Sequence, residues 1–138
     1  MTQFQKDDLV SSAIKASRNS YSPYSKFKVG AALLCADGSV FLGCNIENSS
    51  YSATNCAERV AIQSAIAEGK REFTAIAIAG GRESVGEEIT PPCGICRQVM
   101  AEFCNTDEFI VLLAKNDSFD EYLLKDLLPL TFSKENLK

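Results

Sequence analysis

Asn55-Cys56-Ala57-Glu58-Arg59 and Pro91-Pro92-Cys93-Gly94-Ile95-Cys96-Arg97-Gln98 are the two stretches from which the rest of the chain is read. Each stands where a helix is expected to open. Together they offer three thiols and one carboxylate. Cys93 and Cys96, three residues apart, can face one metal from a first helical turn, and Cys56 brings a third sulfur from the other helix start. The partial positive charge at a helix N-terminus favours thiolate over thiol. Catalytic zinc takes three protein ligands and keeps a fourth place for water, so this donor set fits such a site. Three thiolates leave a divalent ion with excess negative charge. The two helix starts offset part of it, and Arg59 and Arg97 are candidates for the rest through hydrogen bonds to sulfur. Glu58, two residues from Cys56, is placed to move protons rather than to ligate.

Plainer readings stand beside this one. Asn55 and Glu58 also have the spacing of an ordinary helix-capping pair. Cys93 and Cys96 alone fit a redox pair or half of a structural zinc site. A closed four-ligand site would need Cys35, Cys44 or Cys104 as its fourth member, because the chain has no histidine. Those three cysteines lie in apolar strand sequence or at a helix end, where free cysteine commonly acts as a small buried apolar side chain.

Outward from the motifs, the expected order is α-β-β-α-β-α-β-α. Thr2 to about Ser17 reads as a helix, with Thr2 and Gln5 spaced as a capping box. Lys28–Cys35 and Val40–Asn45 form a hairpin around Asp37-Gly38. Cys56 to about Glu68 is a helix apolar nearly all round, closed by Gly69. Phe73–Ala79 is a strand. Pro92 to Phe103 is a helix with the proline in its first turn. Phe109–Ala114 is a strand, Lys115–Asp120 a turn, and Tyr122–Leu128 a short helix before Pro129. This alternation implies an α/β layered sheet with at least one parallel crossover.

The 138 residues fit a single domain, residues 1–138, and 46% hydrophobic content is that of a globular chain. Net charge is −4 with no dense basic stripe, which argues against a nucleic-acid partner. The first residues form no apolar leader, and no apolar run is long enough to cross a membrane, so the expected compartment is the cytoplasm. Six cysteines there point to metal or packing before disulfides. The lack of histidine removes Ser-His-Asp and Cys-His catalysis and every His-ligated metal site.

Four segments in register resemble the small, homotetrameric, zinc-dependent cytidine deaminases: Tyr21 to Leu33, Gly43-Cys44-Asn45-Ile46-Glu47-Asn48, Cys56-Ala57-Glu58-Arg59, and Pro92 to Gln98. The Cys-x-Glu and Pro-Cys-x-x-Cys signature is shared by the wider zinc deaminase class. The resemblance implies a three-layer α/β/α sandwich around a mixed five-stranded sheet. It implies hydrolysis of cytidine and 2′-deoxycytidine to uridine and 2′-deoxyuridine with release of ammonia, in pyrimidine salvage. It makes Cys56, Cys93 and Cys96 ligands of one Zn²⁺ per subunit and Glu58 the proton shuttle. Asn45 and Glu47 become ribose contacts, Phe27 packs at the nucleoside, and main-chain groups of Ala57 meet the base. Phe132 becomes the aromatic that reaches a neighbouring subunit's pocket, so that active sites are shared. An amide and a carboxylate two apart at a strand end suit a sugar hydroxyl, though they equally suit the close of a strand. The Asn-x-Glu pair favours a nucleoside over other aminated heterocycles, and Cys-x-Glu in place of His-x-Glu separates the chain from nucleic-acid-editing relatives.

Overall fold

The structure is a computed structural model describing all 138 residues. A central five-stranded sheet runs β2-β1-β3-β4-β5. Its strands are β1 (Lys28–Cys35), β2 (Val40–Cys44), β3 (Phe73–Gly81), β4 (Ile110–Lys115) and β5 (Ser118–Leu123). The β3–β4 pair is parallel and every other pair antiparallel. The mixed sheet is as expected, and helix α3 (Gly94–Phe103) makes the crossover between the parallel neighbours β3 and β4.

The side-chain alternation of the strands explains the layers. β3 reads Ala75-Ile76-Ala77-Ile78-Ala79. Its isoleucines face one core, with Leu33, Val111 and Leu113, against α2 (Ala57–Ala67) and α3. Its alanines face a second core, with Ala32, Leu112 and Ala114, against α1 (Gln3–Ala16). Small residues let helices sit close on both faces. A Cβ at Gly30 would lie 2.0 Å from the Ala13 carbonyl of α1, and one at Gly43 would lie 2.3 Å from the Ala57 carbonyl of α2. The second contact matters most, because it seats the start of α2 directly on β2 and so places Cys56 and Glu58.

Thr2 caps α1 with the full reciprocal box, its hydroxyl accepting from Gln5 N–H while Gln5 Oε1 accepts from Thr2 N–H. The hairpin turns at Gly38, whose φ of 92° is free of penalty only for glycine.

Several expectations need correction. The segment expected as a turn and then a helix from Tyr122 is instead strand β5, and only Leu124–Leu127 is helical, as α4. Asn116 and Asp117, both left-handed, make a two-residue hairpin that allows the chain to return along β4. Pro92 lies outside α3 rather than in its first turn, and α2 buries one face (Glu58, Ala61, Ile62, Ala65) instead of being enclosed all round. No helix is long and apolar enough to cross a membrane.

Candidate active site

Both motif helices start in the same way. Cys56 is the N-cap of α2 and Cys93 the N-cap of α3, each extended and each without a side-chain capping bond. Residues at N-cap and N3 stand side by side, the geometry a capping box uses. Here it brings Cys93 and Cys96 to 3.5 Å sulfur to sulfur. The same relation brings Arg59 Nη2 to 3.2 Å from Cys56 Sγ. Packing of α2 beside α3 closes the set, with Cys56 and Cys93 sulfurs 3.9 Å apart and all three sulfurs within 4.8 Å of one another. Zn–S bonds of about 2.3 Å in a tetrahedral arrangement put sulfurs roughly 3.8 Å apart. The cluster therefore fits a zinc ion in donor type and in spacing.

Cys35, Cys44 and Cys104 are not members of the cluster. Cys35 and Cys104 are buried in the larger core, and burial pushes the Cys104 thiol up to about 12. With three sulfurs in the group, the closed four-cysteine alternative has no fourth member.

Glu58, the second residue of α2, is only 5% exposed. Burial pushes its carboxyl up to about 7, and the negative charge on Cys56 adds to the rise. The capping alternative fails here, because the Asn55 side chain donates to Gln63 Oε1 instead. Cys56 moves the other way, its thiol held below the usual range by the neighbouring Cys96 thiol and by Arg59. Cys96 is pushed up by the nearby Cys56 sulfur and by burial. Arg59 Nε is buried without a hydrogen-bond partner. Arg97 turns away from the sulfurs. Its Nε donates to the Pro92 carbonyl and its Nη1 to the Leu127 carbonyl, which ties the start of α3 to α4.

The Asn45–Glu47 pair lies at the end of β2 and is engaged with the 20–27 loop. Asn45 Oδ1 accepts from Val29 N–H and the Ser20 hydroxyl, while Asn45 Nδ2 donates to the Phe27 carbonyl. Those two backbone partners fix which end of the amide is which. Glu47 Oε1 accepts from Tyr24 and Ser25 N–H, and Oε2 from the Ser25 hydroxyl. By inventory, Asn45 keeps one unused N–H and Glu47 keeps one unused lone pair, on Oε2. One donor and one acceptor are what a single hydroxyl requires. Ser25 was not singled out by sequence. The Ser-Pro-Tyr-Ser turn composition was its only signal.

Phe27 is half-buried beside a cleft of about 510 Å³ bordered by Gly80, Arg82 and Thr90. Ala57 is the first residue of α2, so its N–H is among those a helix start leaves without an intrahelical partner. Phe132 lies in the tail, 61% exposed, with its carbonyl held by Gln98 Nε2 at 2.8 Å.

A family model described as the cytidine and deoxycytidylate deaminase zinc-binding region matches residues 4–113. A cytidine deaminase of Sporosarcina psychrophila is 47% identical over 131 residues, covering 95% of this chain and 93% of that protein. One of Halalkalibacterium halodurans is 46% identical over 129 residues, covering 94% and 95%. Among solved structures, a cytidine deaminase from Burkholderia pseudomallei superposes with a TM-score of 0.84 at 44% identity, covering 96% of this chain and all of that one. With the three-sulfur cluster and the buried Glu58 at its centre, and with relatives matched along nearly their whole length, the chain belongs to the zinc-binding cytidine and deoxycytidylate deaminase family.

Proposed function

We propose that this protein is a zinc-dependent hydrolase that converts cytidine and 2′-deoxycytidine to uridine and 2′-deoxyuridine with release of ammonia, serving pyrimidine salvage. The observation that carries this is a buried carboxyl, Glu58, set beside three converging sulfurs at two helix starts. Cys56, Cys93 and Cys96 would hold the ion. When bound, zinc supplies a Lewis acid that makes a water molecule reactive at neutral pH. Glu58 carries the protons. As carboxylate it accepts one from the attacking water and passes it to the ring nitrogen. It then takes the second proton from the hydroxyl now on the amino-bearing carbon and delivers it to the amino group, whose bond to that carbon breaks so that ammonia departs and the carbonyl forms. Burial raises this carboxyl above its ordinary range, toward neutrality, which suits a group that must both take and give a proton.

Arg59 offsets the excess charge of the thiolates from its position on Cys56. Main-chain groups of Ala57 and the ring of Phe27 border the base and the nucleoside. The unused donor of Asn45 and the unused acceptor of Glu47 together fit one sugar hydroxyl, the 3′-hydroxyl that ribose and 2′-deoxyribose share. This favours a nucleoside over a bare aminated heterocycle.

The proposed assembly is a homotetramer with shared sites. Exposed Tyr21, Tyr24, Ile46 and Tyr51 surround the Glu47 region, and Phe132 projects from a tail fastened to α3. Such an exposed aromatic and apolar surface fits cover by a second copy. Six free thiols, three of them converging, fit a reducing cytoplasm.

The test is turnover of cytidine by the zinc-loaded protein, followed by ultraviolet absorbance and ammonia release, with cytosine in parallel. Deamination of the nucleoside and little of the free base supports the reading. Zinc-loaded protein inactive on both substrates overturns it. Sedimentation of the active protein with and without Phe132→Ala checks the assembly, since an active monomer would rule out shared sites.

A further inference from the structure

We propose that Ser25 is a positioning residue for ribose recognition: its hydroxyl joins Glu47 to Phe27 and leaves one carboxylate lone pair aimed at the sugar. The inference rests on the reading that Asn45 and Glu47 hold a ribose hydroxyl. Ser25 Oγ donates to Glu47 Oε2 at 2.5 Å and accepts from Phe27 N–H at 3.0 Å. One hydroxyl therefore sets both the carboxylate and the backbone of the aromatic that borders the nucleoside. Lys26, between them, has a left-handed φ of 61°, which folds the chain back so that Phe27 N–H meets the Ser25 side chain. The contact spans 22 residues of sequence and closes the 20–27 loop onto the end of β2.

The two carboxylate oxygens are not equivalent. Both lone pairs of Oε1 are taken by the Tyr24 and Ser25 N–H groups, which remain whatever side chain residue 25 carries. Oε2 has one partner, the Ser25 hydroxyl, and one free lone pair. Rotation of the carboxyl plane is restrained at Oε2 by that hydroxyl alone. Its hydrogen bond is also the first of the influences holding the Glu47 carboxyl below its ordinary range, so it keeps the group an acceptor.

The experiment compares cytidine with 3′-deoxycytidine on zinc-loaded wild type, Ser25→Ala and Ser25→Thr, with Tm and zinc content alongside. Wild type is expected to have a KM for 3′-deoxycytidine well above that for cytidine. Ser25→Ala is expected to raise the cytidine KM roughly tenfold, the worth of one charge-assisted hydrogen bond, with kcat within about twofold. It is expected to leave the 3′-deoxycytidine KM near that of wild type, and Ser25→Thr restores the wild-type pattern. A general loosening of the loop would raise both KM values and lower Tm, and that result overturns the proposal. A wild type that does not distinguish the two substrates overturns the ribose reading of Asn45 and Glu47, and the role of Ser25 with it. If wild type distinguishes them and Ser25→Ala does so equally well, only the Ser25 inference fails. Should Ser25→Ala fold poorly, Ser25→Val set against Ser25→Thr removes the hydroxyl at nearly equal shape and gives the same comparison.

Discussion

Arg59 Nη2 lies 3.2 Å from Cys56 Sγ, three residues back on the same helix start, while its Nε is buried with no hydrogen-bond partner. A guanidinium with its Nε buried and its Nη2 directed at a motif sulfur is an electrostatic element of the metal site. Arg59→Gln is expected to keep zinc at one per chain and to lower kcat/KM by about 10–100-fold, the range for groups that bond to metal ligands. Metal analysis beside turnover checks it. Full zinc with an unchanged rate removes Arg59 from the site.

Glu58 supports two separable predictions in one variant. Glu58→Gln is expected to retain zinc and lose about 10²–10⁴ in kcat. It is also expected to stabilise the metal-free protein in base. The folded chain raises this carboxyl from 4.5 to about 7, so its contribution is intact below pH 4.5 and is lost as pH rises through 7. Above that, the wild type carries a buried carboxylate at a cost on the order of 3 kcal/mol, which glutamine avoids. Chemical denaturation of metal-free wild type and variant should differ most near pH ~8 and converge near pH ~4. A gap that widens in acid contradicts the assignment.

Metal removal separates the cluster from the other cysteines. A chelator is expected to lower Tm, and added zinc to restore it in a concentration-dependent way. Cys96→Ser is expected to lose tight zinc binding and activity. Cys104→Ser, which alters only a core position, keeps the metal and loses some stability. Loss of zinc in Cys104→Ser would mean that the ligand set is wrong.

The Asp37–Lys70 pair, at 2.8 Å, ties the hairpin turn to the segment after α2. Hydrogen bonds from Lys70 and then Ser39 hold the Asp37 carboxyl well below the usual carboxylate range. Its contribution is therefore present above about pH 3.9 and lost as pH falls towards the folded value. Asp37→Asn is expected to lower Tm slightly at neutral pH and not at all in strong acid. The difference should shrink in high salt, as for any exposed pair. A Tm difference that persists unchanged at low pH would point to turn geometry instead.

Much of this was legible in the residues because it depends on neighbours in sequence. Thr2 and Gln5 announced their capping box, Asp37-Gly38 its hairpin turn, and Cys93 and Cys96 their shared first turn, since each pairing is made within three residues. β5 was missed for the opposite reason. Ser118–Leu123 is a half-exposed edge strand with no clean alternation, and only pairing with β4 makes it a strand. Arg59 and Arg97 looked alike, each beside a motif cysteine. Only the packing of α4 against α3 gives Arg97 two backbone carbonyls to bind and leaves the sulfurs to Arg59.

By itself the sequence determined the donor chemistry. Three motif thiols, one carboxylate and no histidine allow an all-sulfur zinc site with a carboxyl proton carrier, because ligand type is a property of residues and not of fold. Tertiary structure brought those thiols together and set how readily Glu58 holds a proton. Gly43 lets α2 sit on β2, α3 lies beside it, and the three sulfurs come within 4.8 Å while Cys35 and Cys104 go to the core. The same packing buries Glu58 and raises its carboxyl to about 7, since desolvation depends on what surrounds a group in space. Tertiary structure also brought Ser25 to Glu47 across 22 residues, a contact that no local spacing encodes.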